Sequence, residues 1–149
     1  MSVTGPLVGV SAVVVRDGLV IVGRRKGSHG AGSWAFPGGK VEPAEDPREV
    51  VARELDEETG LRALRIAPIA WTSDLLSHGE RTLHFITLHH LVDIAPGEPI
   101  VREPDKVEDW RWVACDEIPE PIFAPAASLL ATGWRPPRRR GAPPAPPQE

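Results

Sequence analysis

The sequence predicts an α+β fold, an α/β/α sandwich built around a mixed β-sheet. Three observations carry that prediction: an apolar β-hairpin near the start, one well-capped helix in the middle, and further β-rich runs that close on a second short helix. The hairpin pairs VGVSAVVV (8–15) with LVIVG (19–23) across Arg16-Asp17-Gly18. Asp-Gly between alternating apolar runs is a strong two-residue turn signal. GRRKGSHGAGS (23–33) starts basic, turns glycine-rich and reads as a loop.

Asp46-Pro47-Arg48-Glu49 supplies an N-cap, a proline at the first helical position and an acidic N3 residue, and Gly60 supplies a stop. A helix is therefore predicted over about 47–59. LRIAPIAWT (64–72) reads as a strand whose proline needs an edge or a bulge. RTLHFITLHHLVDI (81–94) and VEDWRWV (107–113) are further strands, and PAASLLAT (125–132) is a second helix.

A length of 149 residues suits one domain, assigned here to 1–135. The remaining 136–149 hold six prolines in fourteen residues with no apolar period, and are read as a disordered tail. A net charge of −4 gives no global reason to expect nucleic acid or an anionic membrane as partner, even with the arginines at 138–140. The N-terminal apolar run ends at Arg16 and is too short to span a bilayer. Cys115 is the sole cysteine, which excludes an internal disulfide and fits a reducing, cytoplasmic setting.

The charge is distributed unevenly. Residues 38–61 hold eight acidic and three basic residues, a local −5 that leaves the rest of the chain at about +1. On a helix, Glu54, Glu57 and Glu58 fall within one arc of roughly 100°. Val51 and Leu55 border that arc and would anchor it on a core. Like charges at such spacing repel, and Arg53 relieves part of this by reaching Glu57 and Glu49. A solvated helix face is the plain reading of spacing alone. The adjoining apolar stripe and the turn Pro37-Gly38-Gly39, whose glycines let carbonyls approach a ligand, favour a site instead. Several carboxylates and a carbonyl suit a hard cation, Mg²⁺ or Mn²⁺, and such ions suit phosphate substrates.

Gly39, Glu45, Arg53-Glu54-Leu55, Glu57-Glu58 and Gly60-Leu61 match the Nudix box without a gap, and the chain resembles the MutT-like nucleotide branch of Nudix hydrolases. VGRRKGSHGAGSWAFPGGK before the box and VEDWRWVACDEIPEPIF after it extend the resemblance over roughly 7–135. It implies a Nudix fold and hydrolysis of a nucleoside triphosphate to monophosphate and pyrophosphate. Glu54 and Glu58 would be the principal metal ligands, with Glu57 sharing the ion or a second one and the Gly38 carbonyl completing the shell. Arg53 would orient the glutamates, Glu45 would support the box, and Lys40 would lie near the phosphates beside Gly39. Arg24 or Arg25 would clamp phosphate oxygens, against a reading as solvated strand ends.

The base that takes the water proton differs among relatives, and Glu103 and Glu108 are candidates outside the box. Stacking of a nucleobase falls to Trp34, Phe36 or Phe123, because the chain has no tyrosine. Alternation puts Trp34 and Phe36 on one face, where a core role competes with a binding one. Relatives often carry tryptophan after the phenylalanine, where this chain has Ala124. His78, His84, His89 and His90 lack metal spacing and are read as structural. Alternatives are a non-nucleotide diphosphate, isoprenyl or pterin, as substrate, or a sensing module without turnover. Family members are often dimers, so a homodimer belongs among the expectations.

Overall fold

The computed structural model describes residues 5–27 and 29–137. In chain order it contains β1 (Leu7–Arg16), β2 (Leu19–Arg25), β3 (Trp34–Ala35), β4 (Gly38–Lys40), α1 (Pro47–Thr59), β5 (Ala63–His78), β6 (Arg81–Ile94), β7 (Val107–Val113) and α2 (Ala124–Ala131). The expected α/β/α sandwich on a mixed sheet is what forms. The proposed tail lies outside the described residues except for Pro136 and Pro137.

β1 is the axis of the molecule. It runs parallel to β6 from Leu7↔Phe85 to Val14↔Val92 and antiparallel to β4 at Gly9–Ser11. Asp17 and Gly18 both have positive φ, 52° and 79°, which is the backbone a two-residue hairpin turn needs. Beyond the turn β2 leaves β1 and pairs with β3 and β7. Both faces of β1 are consequently buried. Val10, Ala12 and Val14 pack with Val50, Val51 and Leu55 of α1. Val13 packs with Ala126 and Leu129 of α2. Strand alternation thus turns one apolar run into two cores, one per helix layer.

α1 has the predicted limits. Asp46 accepts from the Arg48 N–H as N-cap, and Gly60 closes the helix at φ 75°. Its apolar stripe drives the helix onto the sheet, so the acidic arc beside that stripe is carried to the rim of β4. β5 differs from expectation by running six residues past Thr72. The stretch Ser73–His78 looks loop-like alone but pairs antiparallel with Arg81–Ile86. Pro68 sits where the register shifts, in the strand at the sheet's edge.

Candidate active site

A cavity of about 390 Å³ opens between the diglycine strand, α1, β6 and the segment entering α2. Its construction begins with two glycines whose missing side chains let the strand approach its neighbours closely. A Cβ on Gly38 would lie 2.1 Å from the Val10 carbonyl oxygen, and one on Gly39 would lie 2.5 Å from the Glu54 carboxyl carbon. β4 therefore lies directly over the helix carboxylates.

Beneath it, Glu54 and Glu58 face one another, one helical turn apart. The Gly38 N–H points to Glu58 Oε2 at 3.4 Å. Trp110 Nε1 donates to the Glu58 carbonyl at 3.2 Å, tying the end of α1 to β7. Burial pushes the Glu58 carboxyl well above the usual carboxylate range, and the charge of Glu54 adds to it. Glu54 is raised by burial and then by Glu57, against which Arg53 works.

Arg53 reaches Glu45 at 3.0 Å, Glu54 at 3.1 Å and Glu57 at 3.5 Å. Glu57 is thereby held outward, its side chain 46% exposed against 18% for Glu54. The helix spacing suggested three clustered carboxylates. Among the described residues no group of three His, Cys, Asp or Glu side chains forms a ready metal cage. A half-buried, like-charged pair of carboxylates under glycine backbone is nevertheless a hard-oxygen donor set whose repulsion a divalent ion would cancel, and the residues present fit such an ion.

The other expected residues divide between the cavity and the surface. Arg25, Phe36, Lys40, Glu103 and Phe123 line the cavity with Gly38 and Gly39. Arg25 lies over the Phe123 ring at 4.2 Å, donates to the His29 carbonyl, and has its pKa lowered by burial. Glu103 holds Lys106 at 3.5 Å and raises its pKa. Arg24 instead pairs with Glu108 at 3.2 Å, and neither lines the cavity. Trp34 is buried with Val13 and Leu129 in the α2 core. Its carbonyl accepts from the Phe123 N–H at 2.8 Å, so it places Phe123 rather than forming the wall.

Several lining residues were not legible as such. His29 stacks on Phe85 at 5.8 Å and approaches Phe123 at 6.1 Å, closing an aromatic wall. Phe85, Thr87 and His89 alternate along β6 and all face the cavity, as does Ser11 of β1. Their period of two was visible in the sequence, but not which face of β6 looks inward. His84 bonds Ser73, and His90 is buried on the α1 side.

A carboxylate pair at the rim of an aromatic-walled cleft, carried on an α/β/α sandwich, has the build of a phosphate-handling hydrolase. A NUDIX domain model matches residues 5–132, and the chain belongs to this family of hydrolases, which use divalent metal. The MutT NUDIX hydrolase of Burkholderia pseudomallei is 33% identical, with a TM-score of 0.76 over 87% of this chain and 97% of that one. CTP pyrophosphohydrolase of Escherichia coli K12 is 47% identical over 55 residues, 36% of this chain and 41% of that enzyme, less than half its length. RNA pyrophosphohydrolase of Erythrobacter litoralis is 29% identical over 72% of this chain and 74% of that enzyme. Among the described residues no helix is long and apolar enough to cross a membrane.

Proposed function

We propose that the chain hydrolyses a nucleoside triphosphate, a standard pyrimidine nucleotide or an oxidised one, to nucleoside monophosphate and pyrophosphate with Mg²⁺, in the cytoplasm. The observation that carries this reading is the half-buried Glu54–Glu58 pair opening onto the same cavity as Arg25 and the His29–Phe85–Phe123 wall. Acidic and aromatic ends of one cleft match a substrate with phosphates at one end and a planar ring at the other.

Glu54, Glu58 and the Gly38 carbonyl would hold the ion, with Mn²⁺ as a substitute. Bound there, it supplies charge neutralisation on phosphate oxygens and acidifies water. Arg53 favours the ionised form of Glu54, against burial and Glu57, and orients it. Arg25 offers its guanidinium to phosphate oxygens while its own face rests on Phe123. Lys40 adds positive charge beside the glycines. Water oxygen bonds to phosphorus as the bridging oxygen leaves with pyrophosphate, and a cavity carboxylate takes the water proton. Glu103 is the candidate for that base, since Glu108 is held outside the cavity by Arg24. The domain assignment 1–135 belongs to the same reading.

Pyrophosphate and phosphate release would be measured over standard and oxidised nucleotides, with Mg²⁺ and with EDTA. A 5′-triphosphorylated RNA joins them because of the RNA pyrophosphohydrolase relatives, and geranyl diphosphate and dihydroneopterin triphosphate represent non-nucleotide substrates. Glu54→Gln and Glu58→Gln are each expected to lower turnover by roughly two orders of magnitude or more. Mg²⁺ should raise the melting temperature of the wild type and not of these variants. Wild-type turnover in both would sink the assignment. A response confined to the geranyl or pterin compound would replace the nucleotide by that class.

A further inference from the structure

The wall of the cleft contains a buried relay of three polar side chains. Ser11 Oγ lies 2.6 Å from His89 Nδ1, and Thr72 Oγ1 lies 2.8 Å from His89 Nε2. All three are nearly inaccessible, at 7%, 1% and 6% exposure. Ser11 and His89 line the cavity, whereas Thr72 stands behind them on β5. Burial holds the His89 pKa near 4, so the ring is neutral at neutral pH and carries one N–H and one bare nitrogen.

The location of that single proton fixes what Ser11 offers to the cavity. With the proton on Nε2, Thr72 accepts it and Ser11 gives its own proton to Nδ1. Ser11 then presents only lone pairs, which suit an amino group. With the proton on Nδ1, Ser11 accepts it and its hydroxyl proton is free to point into the cavity, which suits a carbonyl. The two states differ by a proton shift and a rotation of both hydroxyls, with no backbone movement.

We propose that Ser11 reads the polar edge of the substrate's base, and that His89 and Thr72 are positioning residues whose tautomer lets one cavity take an amino-edged or a keto-edged ring. This rests on the nucleotide reading of the site. It makes the enzyme tolerant across CTP and UTP, and across ATP and GTP, where a fixed donor or acceptor would discriminate.

The test measures kcat/KM on these four nucleotides and on ribose 5′-triphosphate, which has no base. Ser11→Ala should lose about tenfold more on the nucleotides than on ribose 5′-triphosphate, the worth of one hydrogen bond, and chiefly through KM. Thr72→Val removes the partner of Nε2. A buried orphan N–H costs more than a buried lone pair, so the proton moves to Nδ1. The keto-to-amino ratio of kcat/KM should therefore rise about fivefold. ¹⁵N spectra should show His89 protonated at Nδ1, and Thr72→Ser should restore both readouts.

Equal losses on nucleotides and ribose 5′-triphosphate, or an unmoved ratio in a folded Thr72→Val protein, would overturn the proposal and leave the nucleotide reading standing. A wild type inactive on every nucleotide would overturn both. If Ser11→Ala does not fold, the Thr72 pair decides alone.

Discussion

His89 shows how burial turns a common side chain into a pH-dependent contribution to stability. Its native pKa lies near 4 against an ordinary 6.5, because burial disfavours the charged ring and His90 adds to it. Between those values the unfolded chain binds a proton that the native state refuses. Stability is full above about pH 6.5 and falls as pH drops toward 4, by up to about 3 kcal/mol. The difference in urea-unfolding free energy between wild type and His89→Gln should follow that window. A difference independent of pH would mean that His89 titrates alike in both states. The contrast with the acidic helix explains what the sequence conceals at this scale. Glu54 and Glu58 were legible because helical spacing and the neighbouring Leu55 fixed their direction. β6 carries histidines on both faces, and only its registers with β1 and β5 decide that His89 faces the cavity while His84 and His90 do not.

Gly38 and Gly39 are adjacent in β4, yet what they touch sets different outcomes for the same substitution. A Cβ on Gly38 would meet backbone, the Val10 carbonyl at 2.1 Å, which cannot yield without breaking the β1–β4 ladder. A Cβ on Gly39 would meet the Glu54 carboxyl group, the end of a flexible side chain, at 2.5 Å. Gly38→Ala should therefore cost roughly 1–3 kcal/mol or more in urea unfolding. Gly39→Ala should leave stability within about 1 kcal/mol while displacing Glu54 and cutting turnover by roughly 100-fold. Equal stability losses would show that β4 has no slack at either position. Local signals specified the elements well where they were self-contained: Asp46, Pro47 and Gly60 bound α1 without tertiary help. β3 and β4 are too short for any period, and β5 extends to His78 only because β6 supplies a partner.

At the scale of the whole molecule, the described contacts end at Trp134 and Arg135. Trp134 packs on the α2 core with Leu130 and Ile118. Arg135 pairs with Asp116 at 2.8 Å and donates to the Leu130 carbonyl at 3.1 Å, clasping the end of α2 to the turn after β7. α2 is only eight residues long and has no side-chain N-cap, so its stability comes from packing and not from its own ends. Because α2 follows Phe123 directly, loosening it also loosens the aromatic wall of the cleft. A chain ending at Arg135 should retain the full-length melting temperature and nucleotide turnover. A chain ending at Gly133 should lose roughly 1–2 kcal/mol from the half-buried indole and the lost clasp. Its KM should rise more than its kcat falls, since the ring-binding wall moves while Glu54 and Glu58 stay on α1. Calorimetry and steady-state kinetics on the two truncations would check this. A destabilised 1–135 chain would move the domain boundary into 136–149, and unchanged KM in the 1–133 chain would separate the α2 clasp from the substrate wall.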